Sequence, residues 1–140
     1  MSKFDSLALP VEKPCRMIIT HPVTRQPLRS KDGIEAYIEV YSADSEVKRR
    51  FDREVTRRRL SVSARAKLTP EEIEAQGHDL LAALTAGWNL VGLDGESIDV
   101  VFSPQSAREL YATPAMSWLR EQVDEFAADR GNFSRASSSN

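Results

Sequence analysis

Two histidines, a single cysteine and a dense run of arginines are the side chains with the widest chemical scope in this 140-residue chain. His21 opens the Pro-rich stretch "HPVTRQP", His78 sits beside Gly77, and Cys15 heads an apolar stretch. A zinc site needs a cluster of Cys and His ligands at short spacing, and these residues are too few and too scattered to supply one. In its apolar setting Cys15 reads as a small buried hydrophobe rather than a nucleophile. The chain contains no Gly-x-Ser-x-Gly elbow, no GxxxxGK[ST] phosphate loop and no GxGxxG turn. Carboxylate neighbours such as Glu71/Glu72 and Glu121/Asp124 are accounted for by helix capping and by a solvated helix face. The expectation is a protein with no catalytic residue, no cofactor and no bound metal, because an enzymatic role must be argued from a site.

The arginines are the stronger signal. Residues 48–67 hold nine Lys/Arg against Asp52 and Glu54, whereas the chain from Thr69 onward holds twelve acids against four bases. The net charge of −2 therefore conceals a basic segment facing an acidic remainder. A stripe of Arg49, Arg53 and Arg57 at helical spacing has the geometry to track phosphates. Against nucleic acid stand the acidic whole (pI about 5.7) and the lack of interleaved aromatics or a recognition motif. Contact with protein suits the segment better, either with an anionic partner or with the acidic half of another copy. Arg49, Arg50, Arg53, Arg57 and Arg58 are accordingly the candidate partner-binding residues. Trp88 and Trp118 join them, since tryptophan is enriched at interface hot spots.

Which elements carry these residues follows from the periodicity. Residues 1–14, with two prolines and no period, are expected to form a flexible arm without signal-peptide character. No stretch approaches a membrane span, and the lone cysteine suits a reducing compartment. From Cys15 the apolar residues alternate (Cys15, Met17, Ile19), and they do so again over Ile34, Ala36, Ile38 and Val40. The connection between the two strands, closed by Asp32-Gly33, is long for a hairpin and leaves room for a short extra strand or a binding loop. Val47, Phe51 and Val55 then mark one narrow helix face, capped by Ser42 or Asp44, with Glu46–Arg50 and Glu54–Arg58 pairs on its surface. "SVSARAKL" reads as a linker or frayed helix end.

Three further helix starts follow. Thr69-Pro70-Glu71-Glu72 opens a helix with Ile73, Leu80, Leu81, Leu84 and Trp88 on one face, ending near Gly87. Ser103-Pro104 opens a short one with Ala107, Leu110 and Tyr111. Thr113-Pro114 opens the last, with Leu119, Val123 and Phe126 inside and Glu121, Asp124, Glu125 and Asp129 outside. Gly131 stops that helix, and Phe133 folds back beneath it. Ile98, Val100 and Phe102 alternate as a short third strand. The expected fold is α+β: a small N-terminal antiparallel hairpin followed by about four α-helices. It forms a single domain over 15–133, with the arm at 1–14 and a disordered Ser-rich tail at 134–140.

The segments "THPVT…PL", "IEVYSADSEVKRR", "KLTPEEIEAQGHDLLAALTAGW", "GESIDVVFSPQSARELYATP" and "WLREQVDEFAADRGNF" occur in that order from about Met17 to Phe133. In length and order they resemble the tail assembly chaperones of long-tailed, siphovirus-type bacteriophages. That resemblance implies a non-enzymatic assembly factor of the host bacterial cytoplasm, absent from the mature virion. It implies binding to the tape measure protein and recruitment of tail tube subunits, and also a homo-oligomer. A frameshifted longer form accompanies many members. A basic helix meeting the acidic half of the next copy would pair head to tail, closing as a ring or extending as a spiral. Another phage tail or connector structural protein, and a nucleic-acid-binding accessory protein using residues 48–59, are the alternatives.

Overall fold

The computed structural model describes residues 3–61 and 68–134, so most of the expected linker and nearly all of the Ser-rich tail lie outside the described residues. Strand β1 (Cys15–Ile18) pairs antiparallel with β2 (Tyr37–Val40), placing Met17 opposite Ile38. Met17, Ile38 and Val40 are buried, as the period-two pattern requires. The first alternating residue of the second run, Ile34, is instead 59% exposed, because regular pairing begins only at Tyr37.

The long β1–β2 connection folds back on the sheet without forming a regular strand. Leu28 donates its N–H to Ile19 O (2.8 Å), Ile19 donates to Ala36 O (3.0 Å) and Ala36 donates to Leu28 O (2.8 Å). This cycle of backbone bonds buries all three side chains. Gly33, at φ +83, closes the turn back to Ser30, where an L side chain would be strained.

Helix α1 (Glu46–Ser61) is preceded by Ser45 at its cap position, rather than by the expected Ser42 or Asp44. Ser45 accepts from Lys48 N–H at 3.4 Å, while Ser42 Oγ accepts from Asp44 N–H at 2.9 Å and so shapes the turn before the helix. Helix α2 (Pro70–Leu84) begins as its sequence dictates. Thr69 Oγ1 accepts from Glu72 N–H at 3.1 Å, and Glu72 Oε1 returns the contact to the Thr69 hydroxyl. It ends sooner than expected, running straight into strand β3 (Thr85–Val91). Trp88 is therefore a strand residue paired with Ile38, not the last residue of a helical stripe. Ile73, expected on the inner face, is 57% exposed.

Strand β4 (Ser97–Ile98) completes a four-stranded antiparallel sheet in the order β1-β2-β3-β4, but Val100 and Phe102 lie beyond its pairing. Helix α3 (Pro104–Ala112) carries a reciprocal Ser103/Ser106 capping box. Pro114–Met116 form a 3-10 turn rather than the first turn of the last helix, and α4 spans Ser117–Ala128. The helices α2, α3 and α4 cover the sheet face bearing Met17, Ile38, Val40 and Leu90, closing a core with Leu81, Ala107, Tyr111, Leu119 and Val123. The chain is α+β; its described residues form four α-helices and a sheet whose last two strands follow the first helix pair. No helix among the described residues is long and apolar enough to cross a membrane.

Both ends of the domain meet in a second, small cluster. Phe133 folds back after α4 and is fully buried with Val11 and Cys15, its ring edge-on to Phe126 at 5.5 Å. Asp129, not Gly131, is the cap: its carboxylate accepts from Gly131 N–H at 2.9 Å and starts the 3-10 turn Arg130–Phe133. The arm is thus docked at Val11, and Glu12 accepts from the Glu46 N–H at 3.1 Å.

A candidate contact surface on the basic helix

The basic helix α1 touches the body through a thin strip. Val47, Phe51 and Val55 are half-buried, and no α1 residue is fully buried. Its mean hydropathy leaves little to drive the helix onto the core, so charge must organise the remaining surface. At its start, Arg130 Nε and a terminal nitrogen grip both oxygens of Asp44 at 2.7 and 3.3 Å. The Arg130 guanidinium holds the Asp44 carboxyl below the usual range, and Arg53 with Arg49 does the same for Glu46.

The expected pairs are replaced by others on the same helix. Glu46 takes Arg53 at 2.6 Å and Arg49 at 2.9 Å in place of Arg50. Glu54 takes Arg57 at 2.7 Å in place of Arg58. Arg49 also donates to Asp44 O at 2.7 Å and meets Glu12 at 3.4 Å. The stripe proposed to track phosphates, Arg49, Arg53 and Arg57, is thus already occupied by carboxylates, one each or more. Exposed pairs of this kind add little stability, but a phosphate would have to displace them. Among the described residues Arg50, Arg58 and Arg59 have no carboxylate partner, and they are exposed.

Arg58, one of the predicted residues, reaches a cavity. A groove of about 560 Å³ opens between α1, α2, β3 and the start of α3, lined on its apolar side by Phe51, Ala82, Ala83 and Phe102. Arg58 and Arg108 stand on its wall, with Asp79 as the lining acid. Behind it, Thr85 Oγ1 lies 2.7 Å from the buried Tyr111 hydroxyl. Sequence reasoning missed Arg108, Phe102 and Asp79, which come from segments distant in the chain. Phe51 and Arg58, seven residues apart on one helix face, were the local signal that was available.

The tryptophans do not join the arginines in one constellation. Trp88 is half-buried on β3, donates its indole N–H to Val100 O at 2.9 Å and meets Phe102 edge-on at 5.2 Å. It supports the groove wall from behind through Phe102. Trp118 packs half-buried against the core from α4. Of the groups with chemical scope, Cys15 is buried and its thiol is pushed up by that burial. His21 Nδ1 accepts from Val23 and Thr24 N–H at 3.0 and 3.3 Å, bracing its own loop. His78 Nε2 lies 4.0 Å from Glu74. No group of three His, Cys, Asp or Glu side chains that could hold a metal ion occurs among the described residues. Comparison of the chain with protein-family models, curated proteins and solved structures returned no match.

Proposed function

We propose that the chain is a non-enzymatic tail assembly chaperone of a long-tailed bacteriophage, acting in the host bacterial cytoplasm and leaving before the virion is complete. Its client on this reading is the tape measure protein, and it helps recruit tail tube subunits. The observation that carries the reading is α1: sixteen residues with no fully buried side chain, edged by arginines, held to the body by one thin strip. Such a helix is a contact surface more than a core element. The client is inferred from the resemblance of the segment order to those chaperones. A long helical client is best held by many modest contacts, which self-association of the chaperone multiplies by avidity.

Co-expression with a phage tape measure protein is the test. The expected result is that the client becomes soluble with the chain and loses that solubility when Arg50 and Arg59, which lie outside the groove, are changed to Glu. A client equally insoluble with and without the chain overturns the proposal. Binding to duplex or single-stranded DNA that falls steeply with salt would favour the nucleic-acid reading instead; the carboxylates already on Arg49, Arg53 and Arg57 argue against it.

A further inference from the structure

The groove adjoins an exposed apolar ridge on the same chain. Ile98, Val100 and Val101 are 46%, 48% and 83% exposed, a concentration of solvent-facing aliphatic surface in four residues. The ridge is fixed in place rather than loose. Trp88 donates to Val100 O at 2.9 Å and Ser106 Oγ donates to Val101 O at 3.0 Å. Within it stands Asp99, exposed and without a cationic partner among the described residues. Directly after it comes Phe102, which lines the groove.

Ridge and groove are complementary. The ridge offers aliphatic side chains and a carboxylate. The groove offers an apolar floor of Phe51, Ala82, Ala83 and Phe102, with Arg58 and Arg108 lacking carboxylate partners on its wall. Asp79 leaves that wall net positive. We propose that the groove receives residues 98–101 of a second copy, Val101 entering the apolar floor and Asp99 meeting Arg58 and Arg108. Because each chain carries the ridge beside its groove, two copies related by a two-fold axis exchange ridges in one self-complementary interface, and the assembly closes at a pair. This contact is distinct from a head-to-tail meeting of α1 with an acidic neighbour, and it is independent of the client.

Charge exchange tests it on the full chain. Sedimentation velocity should show wild type as a dimer. Arg58→Glu/Arg108→Glu sets acid against acid at both contacts of a pair, and Asp99→Arg sets base against base. Each variant alone should associate about tenfold more weakly or worse. Mixed in equal amounts they should recover the dimer, because both contacts of a mixed pair are again opposite in charge. Val101→Ser, which alters no charge, should weaken the wild-type dimer. All four positions are exposed, and unchanged circular dichroism checks the fold. A monomeric wild type, variants that associate unaided, or a mixture that stays monomeric overturns the proposal. Assemblies that grow past two with concentration overturn the two-fold closure.

Discussion

Tyr111 has no exposed surface, and its hydroxyl meets Thr85 Oγ1 at 2.7 Å in the core. Thr85 spends its own proton on Leu81 O at 2.8 Å, so the phenol is the donor of the pair. Removing the Thr85 hydroxyl strands the phenol in a dry site, whereas removing the phenol leaves Thr85 still bonded to Leu81 O. Tyr111→Phe should cost about 1 kcal/mol, and Thr85→Val, which leaves a buried O–H without an acceptor, about 1–3 kcal/mol. The double variant should cost less than the sum, since the two share one interaction. Urea midpoints measure all three. Burial also pushes the Tyr111 phenol up to about 12, from an ordinary value of about 10. The fold favours the neutral phenol, so its stabilisation is complete below pH 10 and lost as pH rises toward 12. Between those values wild type should lose stability more steeply than Tyr111→Phe.

At the scale of elements, what was legible in the sequence was what local chemistry decides. Thr69-Pro70 and Ser103-Pro104 announce α2 and α3 because cap oxygen, proline and following residues act within one turn. Alternation announces β1 and β2. Strand β3 was hidden because "TAGWNLV" continues the apolar spacing of α2, and only pairing with β2, distant in sequence, makes it extended. The same limit concealed the groove, whose walls come from three separate stretches, 51–58, 79–85 and 102–108. Arginine pairing on α1 was legible as a class, but the choice of Arg49 and Arg53 over Arg50 rests on side-chain rotamers. Another non-local tie is Gln122, which accepts from Thr20 N–H at 3.1 Å and donates to Thr20 O at 2.8 Å, bracing α4 against the end of β1. Gln122→Glu keeps the shape but puts a carboxylate, which cannot donate, against that carbonyl. It should lower stability by about 1–3 kcal/mol, and hydrogen exchange should quicken first at Thr20.

At the scale of the whole molecule, the arm, the α1 entry and the segment after α4 are joined by one latch with an apolar part and a charged part. The apolar part is Phe133 with Val11, Cys15 and Phe126. Phe133→Ala should cost about 3–5 kcal/mol if the site collapses little, and it should speed labelling of the Cys15 thiol by an uncharged reagent, because Phe133 is part of what covers it. The charged part is the fork of Arg130 on Asp44, beside the Ala43 N–H bond to Ala127 O at 2.9 Å. Arg130 lowers the Asp44 carboxyl, so the sign is that of a depressed acid. Its contribution is present above the ordinary aspartate range and is lost as pH falls through the lowered folded value. The pair is exposed, so its effect on global stability is small and salt-sensitive. Its local effect is larger, because it closes the turn from which α1 departs. Asp44→Asn removes the titrating group while preserving the side chain's size. Hydrogen exchange of residues 42–49, corrected for intrinsic rates, should accelerate in wild type as pH falls below the ordinary aspartate range. In Asp44→Asn it should already be fast at neutral pH and change little on acidification. Equal protection in the two proteins at neutral pH would show that the backbone bond to Ala127 holds the latch without the charge.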